Sequence, residues 1–349
     1  MKKNLVVIGY GGIGSTLHVP NAQKSDVVNL LGIYDIDPVK QKKAADNGIF
    51  SYATLEEGLN DNRVDMVTVA TPNDTHLQLV VDCLQAGKHV ICEKPAAMNS
   101  GELSVMIETA RKTGMTFSVH QNRRWDQDFL AMKAIYESGR LGQVFNLRSC
   151  IHGSRGIPSD WRREKAHGGG MVFDWGVHLI DQVLQIVPCK IKSLYCQPDY
   201  LTGAEVEDGF KLNLIFEDGC KAYIEVGTYN FISMPRFYML GKQGSAMITD
   251  WRNPTQIVEC TVWDEQAASP VKTAAGMTKT MAPRDERSTK AYEWPISPAD
   301  VHDYYRNFVK AIDKEEPLLV THEQLMRVFK VMEAAFESGA RNQVLNLDL

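Results

Sequence analysis

Long hydrophobic runs, paired cysteines and extended basic clusters are missing from this 349-residue sequence, and each absence excludes a class of protein. No stretch approaches the roughly 18 to 20 apolar residues that a membrane span requires, so no membrane partner is expected. The seven cysteines are scattered and include no C-x-x-C pair, which argues against a disulfide framework or a zinc ribbon. The net charge of -5 disfavours a nucleic-acid partner, because nucleic-acid binders present a basic face or stripe.

A secretory signal is not expected either. The apolar run Leu5 to Ile8 is too short for the hydrophobic region of a signal peptide, and it leads directly into glycines. Unpaired cysteines suit a reducing compartment, so we expect a cytoplasmic protein. With 44% apolar and 23% charged residues the composition is that of a globular protein, and the length suits two domains.

Short apolar runs alternate with amphipathic segments over the first 120 residues. The predicted buried strands are Leu5 to Ile8, Val27 to Tyr34, Met66 to Ala70, His89 to Cys92 and Thr116 to Val119. Helices are predicted over residues 73–86 and 100–113, with Asn73 or Asp74 capping the first and Ser100 the second. Alternating strands and helices are typical of a doubly wound parallel α/β sheet, so we place a Rossmann domain at residues 1–123.

After about Arg124 the pattern changes to longer alternating runs, which favour a mostly antiparallel sheet with one covered face. We therefore predict an α+β domain at residues 124–349 with a large mixed open sheet, and with room for the last helices to pack back on the first domain. Residues 260–292 lack clean periodicity and are interpreted as a long loop or insertion. The predicted helices are Asp128 to Ser138, Ala299 to Asp313 and His322 to Ser338, and the predicted strands are Val144 to Ser149, Ile191 to Cys196, Phe210 to Phe216, Lys221 to Thr228, Arg236 to Leu240 and Ser245 to Thr249.

The segment from Gly9 to Gly14 fits G-x-G-x-x-G and directly follows a predicted strand. In such a turn Gly9 permits the tight bend, Gly11 lets the backbone approach a pyrophosphate, and Gly14 allows close helix packing. Asp35 lies 21 residues past Gly14, where it would bind the ribose hydroxyls of adenosine and repel a 2′-phosphate. Because no arginine follows Asp35 closely, NAD is preferred over NADP.

Two further segments follow predicted strands and should border the cofactor, because Rossmann ligands lie beyond the carboxyl ends of strands. They are the run from Thr71 to His76 and the tripeptide Glu93-Lys94-Pro95. A lysine is more often a solvated surface residue. At this position, however, Lys94 can hold a substrate hydroxyl or stabilise a developing alkoxide.

A polar stripe follows the triple glycine at residues 168–170. Asp174, His178 and Asp181 are spaced i, i+4, i+7, which places them on one helix face. A solvated stripe is the plainer interpretation. Removing a hydroxyl proton as hydride leaves requires a base with a pKa near neutrality, which suits His178, and a nearby carboxylate can orient it.

The order and spacing of these motifs closely resemble the Gfo/Idh/MocA family of sugar and polyol dehydrogenases. The resemblance covers nearly the whole chain through GYGGIG at 9–14, TPNDTH at 71–76, EKP at 93–95, NRRWD at 122–126 and GGGMVFDWGVHLID at 168–181. It implies that Lys94, Asp174 and His178 form the catalytic triplet and that Arg123 contacts cofactor or substrate. It also implies that Trp161 and Arg162 close over the nicotinamide, and that the open sheet joins subunits into a dimer, tetramer or higher homo-oligomer.

Together, the motifs and the resemblance define the expected site, in which no metal is expected. The expected cofactor-binding residues are Gly9, Tyr10, Gly11, Gly12, Ile13, Gly14, Asp35, Ile36, Thr71, Pro72, Asn73, His76, Glu93, Lys94, Gln121, Arg123, Trp161 and Arg162. The expected substrate-binding residues are Lys94, Arg123, His152, Arg155, Asp174 and His178.

The hypothesis is therefore an NAD-dependent oxidation of a ring hydroxyl in a sugar, glycoside or cyclic polyol. His152, Arg155, Asp160 and Trp161 are hydrogen-bonding or stacking types that suit such rings, although each could be an ordinary loop residue. The segment that contains them resembles relatives that oxidise glycosides at C3. Two alternatives stay open: a glycoside-cleaving enzyme that oxidises C3 transiently, and a non-catalytic NAD-binding regulator.

Overall fold

Two β-sheets organise the chain in the computed structural model, which describes residues 1–263 and 270–349. The first sheet has five strands, all parallel, in the order β2-β1-β3-β4-β5. Its strands are β1 (Lys3–Ile8), β2 (Val28–Tyr34), β3 (Met66–Val69), β4 (His89–Cys92) and β5 (Phe117–Val119). The strand order reverses between β1 and β3, the point at which open α/β sheets bind ligands.

Helices cover both faces of this sheet, so its central strands are almost continuously buried. The helices are α1 (Val19–Lys24), α2 (Pro38–Asp46), α3 (Leu55–Asn60), α4 (His76–Gln85) and α5 (Ser100–Thr113). The Rossmann prediction is confirmed, although α2 and α3 were not predicted. Their short lengths and mixed composition give little periodicity to detect.

A single-turn 3-10 helix over Asn122–Trp125 leads from the first sheet into α6 (Gln127–Glu137) and the second sheet. This nine-stranded sheet has the order β15-β12-β11-β10-β6-β9-β8-β7-β16, in which β6 and β9 pair in parallel and the other pairs are antiparallel. The predicted mixed, mostly antiparallel sheet is therefore confirmed. The strands are β6 (Val144–His152), β7 (Ile191–Asp199), β8 (Gly209–Phe216), β9 (Lys221–Gly227), β10 (Phe237–Gly241), β11 (Gly244–Ile248), β12 (Thr255–Cys260), β15 (Thr289–Trp294) and β16 (Leu345–Asn346).

The prediction of one loop over residues 260–292 is wrong for the segments that form strands. β15 pairs with β12 along its whole length, and a small hairpin is formed by β13 (Val271–Thr273) and β14 (Gly276–Thr278). β15 is an edge strand with mostly polar and exposed residues, so the alternation of a half-buried strand is weak. Residues 264–269 of the predicted loop lie outside the described residues.

Two predicted helix caps also differ in the structure. Asn99 caps α5 by accepting the Glu102 N–H, and Ser100 is the first helical residue. Asn73 caps nothing: it lies in a 3-10 turn before α4, and its side chain donates to the carbonyl of Gly168. A tertiary contact thus replaces the local cap that the sequence suggested, and it ties the two domains together.

The last helices, α8 (His302–Ile312) and α9 (His322–Arg341), return to the first sheet. Lys3 pairs with Asp313 at 2.6 Å, and Ser100 donates its backbone N–H and its hydroxyl to Glu333. On the second sheet α7 (Val177–Ile186) and α9 cover one face. None of the described helices is long and apolar enough to span a bilayer.

A buried ion pair fixes the linker to α7. Arg124 Nη2 and Nε lie 2.6 and 2.7 Å from the two carboxylate oxygens of Asp181, and both side chains are almost completely buried. We expect Asp181→Ala to lower the free energy of unfolding by about 3–5 kcal/mol, because it leaves a buried guanidinium without its counter-charge. Urea unfolding measures the loss. As a control, Glu108→Ala removes the exposed partner of Arg111 and should cost under about 1 kcal/mol; equal losses would contradict the prediction.

Candidate functional site

In the glycine turn after β1, two glycines pack closely against the protein and two face open space. A Cβ on Gly14 would lie 1.9 Å from the Gly9 carbonyl oxygen, and one on Gly9, whose φ is +98°, would lie 2.5 Å from the Ala70 oxygen. At Gly11 and Gly12 an added Cβ meets no protein atom within 4 Å. The turn therefore leaves room beside its backbone, as a bound pyrophosphate requires.

A helix begins directly behind this turn. A π-helical turn over Gly14–His18 continues into α1, and the Ser15 N–H and hydroxyl both donate to the Gly11 carbonyl. The helix N-terminus thus faces the open side of the turn, where its first amides and positive dipole end favour an anion. The turn and the helix fit the phosphates of a dinucleotide.

Asp35 at the end of β2 holds the turn in place. Its carboxylate accepts the Tyr10 N–H at 2.7 Å and the Asp37 N–H at 2.9 Å, and the residue is only 5% exposed. Lys40 lies 3.6 Å from the same carboxylate, a cation that the sequence analysis did not consider. Ile36 is almost fully exposed. The acid thus reaches the glycine turn as expected, but it first serves as an acceptor for backbone amides.

The loop after β3 borders the site through its backbone. His76 is completely buried, and its ring nitrogens lie 3.0 Å from the Pro95 oxygen and 2.9 Å from the Thr71 oxygen. Both nitrogens face carbonyl oxygens of the protein, and burial lowers the pKa of His76, so the neutral ring donates to only one of them. Neither nitrogen is directed at a cofactor, contrary to the prediction for His76. The side-chain amide nitrogen of Asn73 donates to the Gly168 carbonyl. Both side chains position the loops on either side of the cleft.

Lys94, at the carboxyl end of β4, forms an ion pair with Asp174 across the two domains. Its Nζ lies 3.0 Å from Asp174 Oδ1 and 2.9 Å from the Asp174 carbonyl oxygen. Arg162 approaches the second carboxylate oxygen at 3.5 Å. Burial would raise the pKa of Asp174, but the two cations outweigh burial and hold that pKa below its ordinary value.

His178 lies one turn after Asp174, at the start of α7, and is 4% exposed. Burial holds the pKa of His178 well below its ordinary value, and the positive charges of Lys94 and Arg123 lower it further. The ring is therefore neutral near pH 7 and can accept a proton, but its pKa lies below the near-neutral value expected from the sequence. The carboxylate expected to orient it is not found: His178 Nδ1 is buried and has no hydrogen-bond partner among the described residues.

The polar residues predicted to share one face of α7 do not all face the site. A π-helical turn over Val172–Gly176 precedes α7, so the regular 3.6-residue period does not extend back to Asp174. Asp181 points to the buried Arg124 and not to the triplet. Of the three aligned polar residues, only Asp174 and His178 belong to the site.

Glu93 lies beneath Lys94 in a buried polar network that the sequence did not reveal. Glu93 Oε1 is 2.7 Å from both His18 Nε2 and His120 Nδ1, and His18 Nδ1 is 2.7 Å from the Tyr305 hydroxyl. Burial would raise the pKa of Glu93, but the two histidines bring it well below its ordinary value. Glu93 is buried, and its contacts with the two histidines hold it in place. It therefore supports the strand end below Lys94 and offers no oxygen to a cofactor.

The triple glycine at residues 168–170 accommodates protein groups and not a ligand. Gly170 has φ +101°, and a Cβ there would lie 2.5 Å from Glu207 Oε1. Glu207 accepts the Val172 N–H at 2.8 Å, which anchors the start of the helix that carries Asp174. Nothing in the local sequence singles out Glu207, because only the folded chain brings it to this helix.

The remaining predicted residues fall into two groups. Arg123 and the Trp161–Arg163 turn lie at the site: Arg123 stacks over Trp175 at 4.3 Å, and Arg162 reaches Asp174. His152 is turned away, since its ring contacts the Met234 N–H and Glu225 on the outer side of the sheet. Side chains of a strand alternate between faces, and β6 ends with His152 on the face opposite the helices. Gln121 is buried, and Arg155 and Asp160 lie in an exposed loop.

Comparison with known proteins agrees with this geometry. Residues 3–121 match an oxidoreductase family with an NAD-binding Rossmann fold, and residues 129–247 match the GFO/IDH/MocA C-terminal domain. The fold and the matched domain define an NAD-binding oxidoreductase. The chain belongs to the Gfo/Idh/MocA family.

Individual relatives extend the likeness over the whole chain. The chain is 43% identical to an NAD-binding protein from Listeria innocua of known structure, with a TM-score of 0.95 and 99% of both chains covered. It is 27% identical to a scyllo-inositol 2-dehydrogenase (NADP(+)) of Bacillus subtilis, over 98% of this chain and 95% of that one. It is 31% identical to a myo-inositol 2-dehydrogenase of Thermotoga maritima, over 57% of this chain and 59% of that one.

The protonation of Glu207 should make stability depend on pH. Burial raises the pKa of Glu207 from 4.5 to about 7, so between these values the folded chain keeps a proton that the unfolded chain has lost. The contribution of Glu207 to stability therefore falls as pH rises from 4.5 to about 7, by about 3 kcal/mol at most, and stays lost above that range.

The measurement compares urea unfolding of the wild type and Glu207→Gln at about pH 5 and about pH 7.5. Glutamine keeps an acceptor for the Val172 N–H and does not titrate. The variant should gain stability relative to the wild type as the pH rises. Parallel pH profiles of the two proteins would show that Glu207 does not titrate in this range.

Proposed function

We propose that the protein oxidises a ring hydroxyl of a sugar, glycoside or cyclic polyol and passes the hydride to NAD. The observation that carries the proposal is the Lys94–Asp174 ion pair beside the neutral, buried His178, at the strand ends that border the glycine turn. Bound NAD would supply the hydride acceptor. Two relatives named as inositol dehydrogenases support a polyhydroxylated ring as the substrate.

Each member of the triplet has a distinct task in this reaction. His178 takes the hydroxyl proton as the C–H bond breaks, so that the alcohol becomes a ketone and His178 becomes an imidazolium ion. The ammonium group of Lys94 binds the hydroxyl oxygen and stabilises its developing negative charge. Asp174 positions the ammonium group of Lys94 for the substrate hydroxyl, because the ion pair fixes the end of a long, flexible side chain.

The cofactor would be held by the glycine turn, the helix N-terminus and Asp35. The negative charge of Asp35 favours NAD over NADP by repelling a 2′-phosphate, while Lys40 partly offsets that charge. Free thiols at all seven cysteines suit a reducing compartment, so we also propose a cytoplasmic location.

A homo-oligomer is part of the same proposal. The face of the second sheet opposite α7 carries a concavity of about 870 Å³, whose lining includes Met234, Tyr238 and Met247. The lining also includes charged side chains such as Arg148 and Glu225, and an open sheet face of this mixed character favours contact with a second copy of the chain. The number of subunits is measured by light scattering of the purified protein.

Substitution of the triplet should abolish turnover while preserving NAD binding. We expect Lys94→Met and His178→Asn each to reduce kcat by about 100-fold or more, since each removes a group that acts on the reacting hydroxyl. NAD affinity should change little, because neither side chain forms the glycine turn. Reduction of NAD with inositols, hexoses and glycosides measures the activity, and calorimetry measures NAD binding.

A matched control is Lys112→Met, which removes a lysine that is largely exposed on α5. This variant should keep wild-type activity. A fully active double variant at 94 and 178 would exclude the assignment of the triplet. Failure of every substrate class would exclude the polyol proposal, whereas glycoside cleavage without net NADH would favour transient oxidation.

A further inference from the structure

Two indole rings lie side by side next to the proposed base. Trp175 is the residue after Asp174, and its ring centroid lies 6.1 Å from that of His178. Trp251, between β11 and β12, lies 5.9 Å from Trp175 with an interplanar angle of 34°. The three rings thus form a continuous series that leads outward from His178.

Arg123 fixes the two indoles to the linker between the domains. Its guanidinium carbon lies 4.3 Å from the centroid of Trp175 and 5.6 Å from that of Trp251. Asp126 binds the same guanidinium at 3.0 Å, and the Arg123 carbonyl accepts a hydrogen bond from Gln182. Cation–π contacts of this kind orient aromatic rings before a ligand arrives.

The turn that carries Trp251 is also braced. Asp250 accepts the N–H of Arg252 at 3.2 Å, and Asn253 donates to the Thr249 hydroxyl at 2.8 Å. Trp251 nevertheless remains 40% exposed, while Trp175 is half-buried. A large apolar ring held in place and left exposed beside a polar site is a preformed surface for an apolar ligand face.

Sugar rings suit such a surface, because the faces of a pyranose carry C–H bonds while the hydroxyls point outward. Stacking on an indole buries those C–H groups without desolvating the hydroxyls. An aryl ring stacks on it in the same way. The ring that reacts must lie at His178 and Lys94, so Trp251 lies one ring further out.

We propose that Trp251, supported by Trp175 and Arg123, is a stacking subsite for a second ring joined to the ring that is oxidised. This inference rests on the proposed function and refines it: the preferred substrate is a two-ring glycoside, either a disaccharide or an aryl glycoside. Trp251 is thus a specificity-determining residue, and the triplet carries the chemistry.

The test is a series of substrates that differ only in the second ring. Values of kcat/KM are measured for a hexose, its methyl glycoside, its phenyl glycoside and a disaccharide of that hexose. The wild type should prefer the two-ring compounds to the methyl glycoside by about tenfold, mostly through KM. Trp251→Ala should remove that preference and leave kcat/KM for the methyl glycoside within about twofold. Trp251→Phe should restore part of it.

Trp263→Ala is the matched control. Trp263 is also an exposed indole beneath an arginine, with Arg284 at 4.6 Å. However, Trp251 precedes β12 and Trp263 follows it, so the two indoles lie at opposite ends of this strand. This variant should keep the wild-type preference. The subsite would be overturned if Trp251→Ala lowered kcat/KM equally for the methyl glycoside and the two-ring compounds. It would also be overturned if the wild type showed no preference for two-ring compounds.

Binding separates this inference from the proposed function. The quenching of tryptophan fluorescence by phenyl glycoside and by methyl glycoside, with NAD present, is compared in the wild type and Trp251→Ala. Tighter binding of the phenyl glycoside that depends on Trp251 supports the subsite even if no compound is oxidised. Turnover of single rings without any such difference in binding would leave the proposed function standing and exclude the subsite.

Discussion

The ion pair between Lys94 and Asp174 is the interaction on which the proposed site depends. It joins the carboxyl end of a strand in the first sheet to the helix that covers the second, across 80 residues of chain. Without it the lysine would be one more flexible cation at a strand end, and the histidine would lose the nearby ammonium group that the ion pair holds in place. The active geometry therefore belongs to the junction of the two domains and to neither domain alone.

Several contacts keep this junction rigid. Asn73 binds the backbone of Gly168, and Arg124 binds Asp181 in the interior. Beneath the lysine, Glu93 is held between two histidines, so that the strand end cannot shift without breaking a buried polar network. Breaking either contact would leave a buried carboxylate or imidazole without its partner, and this cost favours one arrangement of the cleft.

The electrostatics of the cleft give Asp174 and His178 different charge states. Two cations surround Asp174 and keep it ionised, while burial and the same positive field keep His178 neutral. A neutral base beside a fixed ammonium group is what the removal of a hydroxyl proton requires. In the proposed subsite, specificity would come from the aromatic rings that extend outward from the base.

Elements whose signals are local could be predicted from the order of the residues. The glycine turn, Asp35, Lys94, Asp174 and His178 could be singled out as candidate site residues, because each lies close to the end of a strand or helix. The parallel sheet and the mixed sheet could be predicted because burial on one or both faces imposes a period on the chain.

Which polar groups contact one another depends on how distant segments of the chain pack together. Asp181 has the spacing of a site residue but pairs with an arginine 57 residues away, and His152 has suitable chemistry but lies on the other face of its strand. Glu207 and Trp251 reach the site from distant turns and leave no local pattern. Such contacts are set by how two sheets and their helices pack, which depends on residues far apart in the chain.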